Sequence, residues 1–500
     1  MTALYPSAFC SLLLACYLTI FCRSKASWKI AAISTGISAL LSGLYIIANS
    51  YTNQGITESV VFHLFYGREG LNKNLFITPI SIFLATAIAA IAVIKNSHRK
   101  TKKRIAEGAQ KLGIVEAAVI VFLSFSAVAA NPTIQQSSDI YIHSQDQSSA
   151  KILKSELKPI NIKETKEGSN LIYIYAESLE RTFFDKKAFP ELVSKLNAFE
   201  SKSTSFTNIY QAPLTDWTIA GMVASQCGIP LAPINTNRND FKDINSFVPG
   251  ATCLGDMLKS KGYRNIFMGG ADLAFAGKGH FYETHSFDEV TGLTDIKNSH
   301  PALPTSKWGI YDDSLFEIAL EKIKKESLKE GKFSFFILTL DTHAPAGHKT
   351  PSCVHTPYAD GHSGTLNSVK CADALLSKFL NEIEKLKLNN TTIVLASDHL
   401  QMRNDIYERL EEKERRNLLI INSNTLIPGE IKRAGTTLDI APTVLTAMGL
   451  ETKEMALGRS LLNEKTTLTE KYGTSKFFDI IKKGRLTMYG YWDENTRKNL

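Results

Sequence analysis

Ionisable side chains follow three apolar runs in the second half of the chain, each at the point where the run ends. The runs and the residues after them are 170–175 with Glu177, 333–340 with Asp341 and His343, and 391–397 with Asp398 and His399. Carboxylate and imidazole groups together can hold a divalent metal ion. A solvated turn explains a single Asp-His pair, but the carboxyl ends of parallel strands meet at one edge of a sheet. Three such ends together predict a metal site.

Two threonines, Thr215 and Thr218, stand at the start of an apolar stretch that ends near Gly228. Helix capping explains one such threonine, because a hydroxyl satisfies the free backbone amides at a helix start. A helix start also attracts phosphate, and a hydroxyl beside a metal can become a nucleophile. The pattern leaves a structural and a catalytic interpretation open.

The apolar runs contain β-branched and aromatic residues without polar alternation, which is typical of parallel strands buried on both faces. A similar run surrounds Phe267. Between the runs, apolar residues recur at helical spacing over 312–328 and 372–386. Strands that alternate with helices predict an α/β sheet.

A change in composition divides the chain of 500 residues, because residues 1–130 are apolar and the stretch after residue 135 is polar and charged. Four runs are near the length of a membrane span: 6–22, 28–49, 75–94 and 113–130. Buried core helices are the alternative, but four such runs with almost no charge are rare in soluble domains. The first run has no basic leader and does not indicate a signal peptide. We therefore expect a transmembrane region at 1–130, a polar linker at 131–166 and an extracytoplasmic catalytic domain at 167–500.

Basic residues crowd the connection between the third and fourth runs: Lys95, Arg99, Lys100, Lys102, Lys103, Arg104 and Lys111. Basic loops stay in the cytoplasm, so this loop, with Arg23 and Lys25, predicts cytoplasmic connections and an external loop at 50–74. The net charge of +8 comes mostly from the basic loop. It lies between two spans and lacks interleaved aromatic residues, which favours anionic lipid over nucleic acid as its partner.

Four cysteines belong to the predicted catalytic domain: Cys227, Cys253, Cys353 and Cys371. An even number in an oxidising compartment favours two disulfides, and we expect the local pairs 227 with 253 and 353 with 371. A zinc site is the alternative, but no Cys-x-x-Cys spacing occurs among them. Cys10, Cys16 and Cys22 lie in the first span and are expected to pack there.

Several segments of the second half share sequence with one known family: LIYIYAESLERTFFD, LTDWTIAGMVASQCGIPL, FAGKGHF, WGIYDDS, TLDTHAP, SDHLQMRND and GTTLDIAPTVLTAMG. In these segments the chain resembles the alkaline-phosphatase and sulfatase-like superfamily, and within it the phosphoglycerol transferases of osmoregulated periplasmic glucan synthesis. Lipoteichoic acid synthases are similar over the shared core. The resemblance implies a mostly parallel sheet flanked by helices.

The resemblance also implies roles for individual residues. By position, the metal ligands fall on Glu177, Thr215, Asp398 and His399. Thr215 would be the nucleophile, with Thr218 as the alternative if the register of this segment shifts. His343 and Lys278 match residues that contact the substrate phosphate. Near Lys278, this chain lacks the tryptophan and arginine of the synthases.

The implied reaction moves phosphoglycerol from phosphatidylglycerol to a periplasmic glucan, through a covalent intermediate on the threonine and with release of diacylglycerol. A threonine hydroxyl is almost never ionised at neutral pH, so the reaction needs a metal ion. The resemblance favours manganese, and magnesium or zinc also suit the ligands. The implied location is the inner membrane, with several spans and the catalytic domain in the periplasm.

Three other functions compete with this prediction. Phosphoethanolamine transfer to lipid A or another envelope glycan uses the same fold, but its enzymes carry HGSHGP, which this sequence lacks. A sulfatase needs C/S-x-P-x-R, whereas this chain has Thr215-Asp216-Trp217. A non-catalytic membrane-bound sensor of glucan or lipid would tolerate loss of the metal ligands, and all of them are present.

Overall fold

The computed structural model describes residues 4–22, 24–52, 55–58, 60, 77–108, 114–143, 146–160, 162–164, 168–232 and 246–497. These residues form two compact units, of which the first ends at residue 143 and the second begins at residue 146. Most of the predicted external loop at 50–74 lies outside the described residues, as do Arg23 and Lys111 of the predicted cytoplasmic loops.

The first unit is helical. Its helices are α1 (Tyr5–Cys16), extended by a π-helical turn (Tyr17–Phe21), α2 (Lys25–Thr52), α3 (Ile77–Glu107), α4 (Ile114–Ala129) and α5 (Pro132–His143). The stretches Lys25–Asn49 and Ser81–Glu107 are long and apolar enough to cross a membrane. A third candidate is the pair Ala117–Ala129 and Pro132–Ile140, which is bent by 58°. The first predicted span forms a shorter apolar helix, Tyr5–Phe21.

The second unit is α/β. Its strands are β1 (Ile162–Glu164), β2 (Asn170–Tyr175), β3 (Thr204–Phe206), β4 (Ile209–Tyr210), β5 (Arg264–Gly269), β6 (Glu289–Thr291), β7 (Phe333–Leu338), β8 (Thr391–Ala396), β9 (Leu419–Asn422), β10 (Gly429–Ile431), β11 (Gly435–Thr436), β12 (Leu450–Thr452), β13 (Glu454–Met455) and β14 (Gly458–Arg459). The four runs predicted as strands are β2, β5, β7 and β8.

Helices alternate with these strands. They are α6 (Gln147–Glu156), α7 (Leu196–Ser201), α8 (Thr218–Cys227), α9 (Leu254–Ser260), α10 (Lys278–Thr284), α11 (Leu293–Ser299), α12 (Asp312–Ser327), α13 (Gly364–Lys385), α14 (Tyr407–Glu411), α15 (Ile440–Ala447), α16 (Leu468–Tyr472), α17 (Thr474–Gly484) and α18 (Glu494–Arg497). The predicted helices at 312–328 and 372–386 correspond to α12 and to most of α13.

Eight strands form the main sheet in the order β10-β3-β9-β8-β2-β7-β5-β6. Every neighbouring pair is parallel except the two pairs that include β9, which runs against both β8 and β3. The predicted mostly parallel sheet is confirmed. The carboxyl ends of seven strands and the start of β9 therefore lie at one edge, which we call the carboxyl edge.

Side chains of β2 alternate between two apolar cores. Leu171, Tyr173 and Tyr175 belong to the core that also contains residues of α8 and α15. Ile172 and Ile174 belong to the core on the other face, which also contains residues of α12 and α13. Because successive strand residues point to opposite faces, a strand with both faces covered is apolar throughout. Burial on both faces fixes the strand ends from which the polar residues extend.

The segment predicted as a polar linker, 131–166, contains secondary structure within its described residues. α5 belongs to the helical unit, whereas α6 packs against α17 of the α/β unit. β1 pairs antiparallel with β12. α6 starts at an aspartate cap, because Asp146 accepts hydrogen bonds from the backbone amides of Ser148 and Ser149.

Candidate active site

Two neighbouring strand ends bring three ionisable side chains together. Glu177 follows the end of β2, and Asp398 and His399 follow the end of β8. Because β2 and β8 are parallel neighbours, both ends lie at the carboxyl edge. Each of the three side chains is about 1% exposed. Burial of charged groups requires partners or a bound metal, so this cluster is the first candidate for chemistry.

The ligand atoms of the cluster converge. His399 Nε2 lies 3.3 Å from Glu177 Oε1 and 3.4 Å from Asp398 Oδ2. One potential ligand atom from each of the three residues lies within 4.8 Å of the other two. This spacing is compatible with three ligands around one divalent cation.

Backbone and hydroxyl groups hold the two carboxylates. The Glu177 amide donates to Thr339 Oγ1 (2.9 Å), and Ser178 Oγ donates to Glu177 Oε1 (2.9 Å). The Ser178 amide donates to Asp398 Oδ1 at 2.8 Å. Ser178 has a φ of 54°, in the left-handed region, so the chain turns sharply after β2 and aims this amide at the neighbouring strand end.

The ring orientation of His399 is fixed by its own loop. Its Nδ1 lies 2.7 Å from the Leu400 carbonyl oxygen, which can only accept, so Nδ1 carries the proton and donates. Nε2 is then the nitrogen that faces the carboxylates. A hydrogen bond at one ring nitrogen that leaves the other for a metal is the usual arrangement of a histidine ligand.

The three groups shift one another's protonation. Burial is the largest single influence and disfavours the charged form of Glu177, but the charge and hydrogen bond of His399 and the charge of His343 together outweigh it and hold the pKa of Glu177 well below its ordinary value. Burial and the Glu177 charge raise the pKa of Asp398 to about 7. Burial opposes charge on His399, yet Asp398 and Glu177 raise its pKa to about 10. The cluster therefore favours a positive charge at its centre.

These residues fit a divalent metal ion. Asp398 Oδ2 is buried and has no hydrogen-bond partner in the described part of the chain. An orphaned carboxylate oxygen inside a protein costs free energy unless a cation or donor meets it. Two carboxylates and one imidazole suit manganese, magnesium or zinc, which leaves the identity of the metal open.

α8 delivers a hydroxyl to this cluster. Thr218 is its first residue, and Thr218 Oγ1 lies 3.4 Å from Glu177 Oε2 and 3.5 Å from His399 Nε2. The side chain of Thr218 is only partly buried. A hydroxyl at a helix start, beside metal ligands and open to solvent, is placed to meet a phosphate group.

Thr215, expected among the ligands, lies elsewhere. It is fully buried, its hydroxyl donates to the Ala212 carbonyl oxygen at 2.7 Å, and Thr437 Oγ1 donates to it at 3.2 Å. No contact joins it to the cluster among the hydrogen bonds of the described residues. The structure thus brings together Glu177, Asp398 and His399 with Thr218, and it leaves Thr215 in a structural position.

Gly221 lets α8 approach the cluster. A Cβ atom at this position would lie 2.0 Å from the Asp398 carbonyl oxygen, a distance that no real contact allows. Gly221 and Thr218 are three residues apart and therefore share one face of the helix. The glycine sets the distance between the hydroxyl of Thr218 and the end of β8.

Lys278 and His343 both interact electrostatically with Glu177. Lys278 is 3% exposed, and its Nζ donates to the Phe275 carbonyl oxygen at 2.9 Å. Burial lowers the pKa of Lys278 to about 8, although the charges of Glu177 and Asp272 raise it. A buried cation near the cluster is suited to hold an anionic group.

His343 is held by its own loop and by a tryptophan. Its Nδ1 donates to the Ala344 carbonyl oxygen at 2.8 Å, and its ring centroid lies 4.0 Å from that of Trp308. Burial lowers the pKa of His343, while the charge of Glu177 opposes that shift. The hydrogen bond at Nδ1 leaves Nε2 for a ligand.

Asp341, which also follows a strand, does not join the ligand group. Its Oδ2 accepts from the Asp312 amide at 3.1 Å, and its own amide donates to Asp312 Oδ2 at 3.1 Å. Burial and the nearby Asp312 charge raise the pKa of Asp341 to about 9. The two backbone hydrogen bonds tie the end of β7 to the start of α12.

The four cysteines of the α/β unit form disulfides between Cys227 and Cys253 and between Cys353 and Cys371. These are the pairs favoured from the sequence. His285 lies near the first pair, but disulfide sulfurs are not available as thiolate ligands. Cys10, Cys16 and Cys22 are free.

Sequence reasoning missed several residues that shape the site. Thr339, Ser178 and Gly221 position the cluster through single hydrogen bonds or through close packing. The one available signal was Gly221, since glycine inside a helix usually marks a close approach of another segment.

The comparisons with known proteins agree with this fold. Residues 169–450, more than half of the chain, match the sulfatase family model. The chain belongs to the sulfatase family, and its fold is that of the alkaline-phosphatase and sulfatase-like proteins. Residues 3–149 match the model of the N-terminal domain of phosphoglycerol transferase I.

The chain is also similar to individual phosphoglycerol transferases I. It is 33% identical to that of Xanthomonas campestris pv. campestris (strain B100), over 90% of this chain and 64% of the relative. It is 34% identical to that of Citrobacter koseri, over 90% of this chain and 60% of the relative. The chain thus spans less than two thirds of the length of these curated relatives.

Two solved structures share the fold. A protein of the alkaline phosphatase superfamily from Vibrio parahaemolyticus superposes with a TM-score of 0.53 and 21% identity, over 65% of this chain and 80% of that one. The lipoteichoic acid synthase LtaP from Listeria monocytogenes has a TM-score of 0.51 and 15% identity, over 70% of this chain and 98% of that one.

Proposed function

We propose that this protein is a metal-dependent phosphotransferase that moves the phosphoglycerol headgroup of phosphatidylglycerol to a periplasmic glucan, with Thr218 as the nucleophile. The observation that carries the proposal is the position of the Thr218 hydroxyl, 3.4 Å and 3.5 Å from two of the three candidate metal ligands. The similarity to phosphoglycerol transferases I supports the choice of headgroup.

Glu177, Asp398, His399 and the Thr218 hydroxyl would hold the metal ion. When bound, the ion lowers the pKa of a nearby hydroxyl and neutralises charge on phosphoryl oxygens. Manganese is our first choice because the family resemblance favours it, and the carboxylate and imidazole ligands are compatible with it. Thr215, which the sequence placed in this role, is replaced by Thr218 in the proposal because its hydroxyl is already satisfied by Ala212 and Thr437.

In the first step, Thr218 Oγ1 forms a bond to phosphorus as the bond from phosphorus to the diacylglycerol oxygen breaks. The threonine hydroxyl loses its proton, and the departing diacylglycerol oxygen takes up a proton. Phosphoglycerol is then joined to Thr218 as a phosphodiester. The free backbone amides at the start of α8 face the same region and favour the anionic phosphate.

Lys278 and His343 would orient the donor. The Lys278 ammonium supplies a positive charge, and His343 Nε2 supplies a hydrogen-bonding atom whose ring Trp308 holds in place. Lys278 is buried and His343 is partly buried, which limits the number of water molecules that compete with the substrate for them. We expect them to lower the free energy of the charged phosphoryl group at Thr218.

In the second step, a hydroxyl of the glucan attacks phosphorus, and the bond from phosphorus to Thr218 Oγ1 breaks. The acceptor hydroxyl loses its proton, and Thr218 regains one. The enzyme returns to its starting state, and phosphoglycerol is esterified to the glucan.

The apolar helices would anchor the enzyme in the inner membrane beside its lipid donor, with the α/β unit in the periplasm. The two disulfides suit an oxidising compartment. The basic residues of α3, from Lys95 to Arg104, would then lie on the cytoplasmic side.

Donor cleavage tests the proposal directly. Purified full-length protein with manganese is mixed with vesicles of phosphatidylglycerol labelled in the glycerol headgroup, or with phosphatidylethanolamine. We expect metal-dependent release of diacylglycerol from phosphatidylglycerol and transfer of label to a glucan. Cleavage of phosphatidylethanolamine alone would instead identify a phosphoethanolamine transferase.

A further inference from the structure

A pocket separate from the metal-ligand cluster lies at the carboxyl edge of the sheet. It has a volume of about 560 Å³, within the usual range for ligand pockets. Its lining includes Arg181, Phe184, Asn208, Lys413, Arg416 and Lys432. We call it the β9 pocket, because its walls come from the segments around β9 and its neighbours.

Sheet topology places the β9 pocket on the same edge as the cluster. Arg181 follows β2, Asn208 follows β3 and Lys432 follows β10, all at carboxyl ends. β9 is antiparallel to its neighbours, so Lys413 and Arg416, which precede it, lie at that edge as well. The cluster is built on β2 and β8, and the β9 pocket extends from β2 toward β10.

The cations of the β9 pocket are paired with anions. Arg181 pairs with Glu200; Lys413 lies 3.6 Å from Asp185, Arg416 3.2 Å from Glu414, and Lys432 3.1 Å from Glu430. Two of these anions, Asp185 and Glu414, line the pocket together with the four cations. A phosphate group would meet the carboxylates of Asp185 and Glu414 in this lining as well as the cations. A neutral ligand with many hydroxyl groups can use both the donors and the acceptors.

Aromatic rings and a hydrogen bond orient the polar side chains of Arg416, Asn208 and Arg181 in the β9 pocket. The Arg416 guanidinium lies 3.8 Å from the centroid of the Tyr210 ring, and its Nε donates to Asn208 Oδ1 at 2.8 Å. Its side chain is only 14% exposed. The Arg181 guanidinium lies 5.0 Å from the centroid of the Phe184 ring. Fixed donors beside an aromatic ring bind a ligand at a low entropic cost.

Short contacts join the β9 pocket to the metal-ligand loops. The Arg181 amide donates to the Arg416 carbonyl oxygen at 2.8 Å. Arg415, the neighbour of Arg416, pairs with Glu180, which also accepts from the Gln401 amide at 3.0 Å. Gln401 and Glu180 are two and three residues from the ligands His399 and Glu177. Hydrogen bonds and an ion pair therefore connect the lining of the β9 pocket with the loops that carry the metal ligands.

We propose that the β9 pocket is a subsite for the acceptor, a neutral oligosaccharide, at a distance from the metal-ligand cluster. The inference rests on the proposed function in one respect, namely that a glucan receives the transferred group. The pocket would bind sugar units on one side of the unit that reacts and would thereby raise acceptor affinity without taking part in donor cleavage.

Binding without donor tests the subsite independently of catalysis. A neutral glucose hexasaccharide is titrated into detergent-solubilised full-length protein and followed by saturation-transfer NMR, with glycerol 3-phosphate as the anionic probe. The variants are Arg416→Ala and Asn208→Ala, with Lys325→Ala, an exposed lysine on α12, as the matched control. We expect the hexasaccharide affinity to fall about fivefold or more in both pocket variants and to stay unchanged in the control.

Two results would overturn the subsite. One is equal hexasaccharide affinity in wild type, Arg416→Ala and Asn208→Ala; the other is loss of glycerol 3-phosphate binding alone in these variants. Should Arg416→Ala fail to fold in a thermal melt, Lys413→Ala, at a side chain that is 39% exposed, replaces it.

Kinetics separate this subsite from the proposed function. In the pocket variants the KM for the hexasaccharide should rise about fivefold or more, with diacylglycerol release in the absence of acceptor within twofold of wild type. Wild type that binds the hexasaccharide but releases no diacylglycerol contradicts the proposed function and leaves the subsite standing. Wild type that releases diacylglycerol but shows equal KM in all variants contradicts the subsite alone.

Discussion

The turn at Thr215 and the helix start at Thr218 carry the same side chain three residues apart, in opposite surroundings. The Thr215 hydroxyl is fully buried and has two short protein partners, at 2.7 Å and 3.2 Å. Thr218 is partly buried, and its hydroxyl contacts Glu177 and His399 at the longer distances of 3.4 Å and 3.5 Å. A hydroxyl that is saturated by the protein stabilises a fold, whereas one with unmet capacity beside metal ligands can react.

The backbone between the two threonines explains the difference. Leu214 has a φ of 64°, and Trp217 is extended, with a φ of −147°. Helical geometry starts only at Thr218, so Thr218 and Gly221 share the face that lies on the end of β8. Thr215 precedes the helix and packs toward Thr437 instead.

The largest effect is expected at the helix start. Thr218→Ala removes the nucleophile and should lower the rate of diacylglycerol release by about 10³-fold or more, measured with phosphatidylglycerol vesicles. Thr218→Ser keeps a hydroxyl and should retain measurable activity. Equal rates of diacylglycerol release in Thr218→Ala and wild type would show that Thr218 is not the nucleophile.

Loss of a ligand should come next. His399→Ala removes the imidazole that faces both carboxylates, so we expect weaker manganese binding in calorimetry and a fall in kcat of about 10²-fold or more. His355→Ala, an exposed histidine outside the cluster, is the control. Unchanged metal affinity in His399→Ala would mean that the cluster does not hold the ion.

Gly221→Ala should have an intermediate effect. The added methyl group meets the Asp398 carbonyl oxygen, so α8 must shift away from β8 and carry Thr218 with it. A displacement of about 1 Å can cost on the order of 10²-fold in rate. Gly490→Ala is the matched control, since a Cβ there lies no closer than 3.6 Å to other residues. A fully active Gly221→Ala protein would show that the position of the hydroxyl is not critical.

The smallest effect on rate is expected at Thr215. Thr215→Val removes a buried hydroxyl that bonds to Ala212 and Thr437, which should lower the free energy of unfolding by about 1–2 kcal/mol in a denaturant titration. The rate per folded molecule should stay within tenfold of wild type. The double variant with Thr437→Val should be less destabilised than the sum of the two single variants, because they share one hydrogen bond.

Much of the fold could be predicted from the sequence. β2, β5, β7 and β8 are mostly apolar because both faces of the sheet are covered, and such runs are recognisable without a structure. The ligands Glu177, Asp398 and His399 could be predicted because they directly follow two of these strands. Their convergence could be expected because ligands of α/β sheets bind beyond the carboxyl ends of the strands.

The apolar runs and strand ends in the sequence could not decide whether Thr215 or Thr218 is the nucleophile. Both stand close to the start of an apolar helix, and the choice depends on where helical geometry begins, which is the least certain feature of a sequence-based assignment. The β9 pocket could likewise not be predicted from the sequence, because its lining comes from segments near four separate strands. Charge pairs such as Lys413 with Asp185 join residues that are far apart in the chain.

Mapping of the covalent intermediate tests the central claim most directly. Wild-type protein is incubated with manganese and phosphatidylglycerol without acceptor, quenched in acid, digested and analysed by mass spectrometry with fragmentation of the peptide that contains both threonines. We expect the mass of a phosphoglycerol group on Thr218 and none on Thr215. The same group on Thr215, in protein with an intact Thr218, would contradict the account.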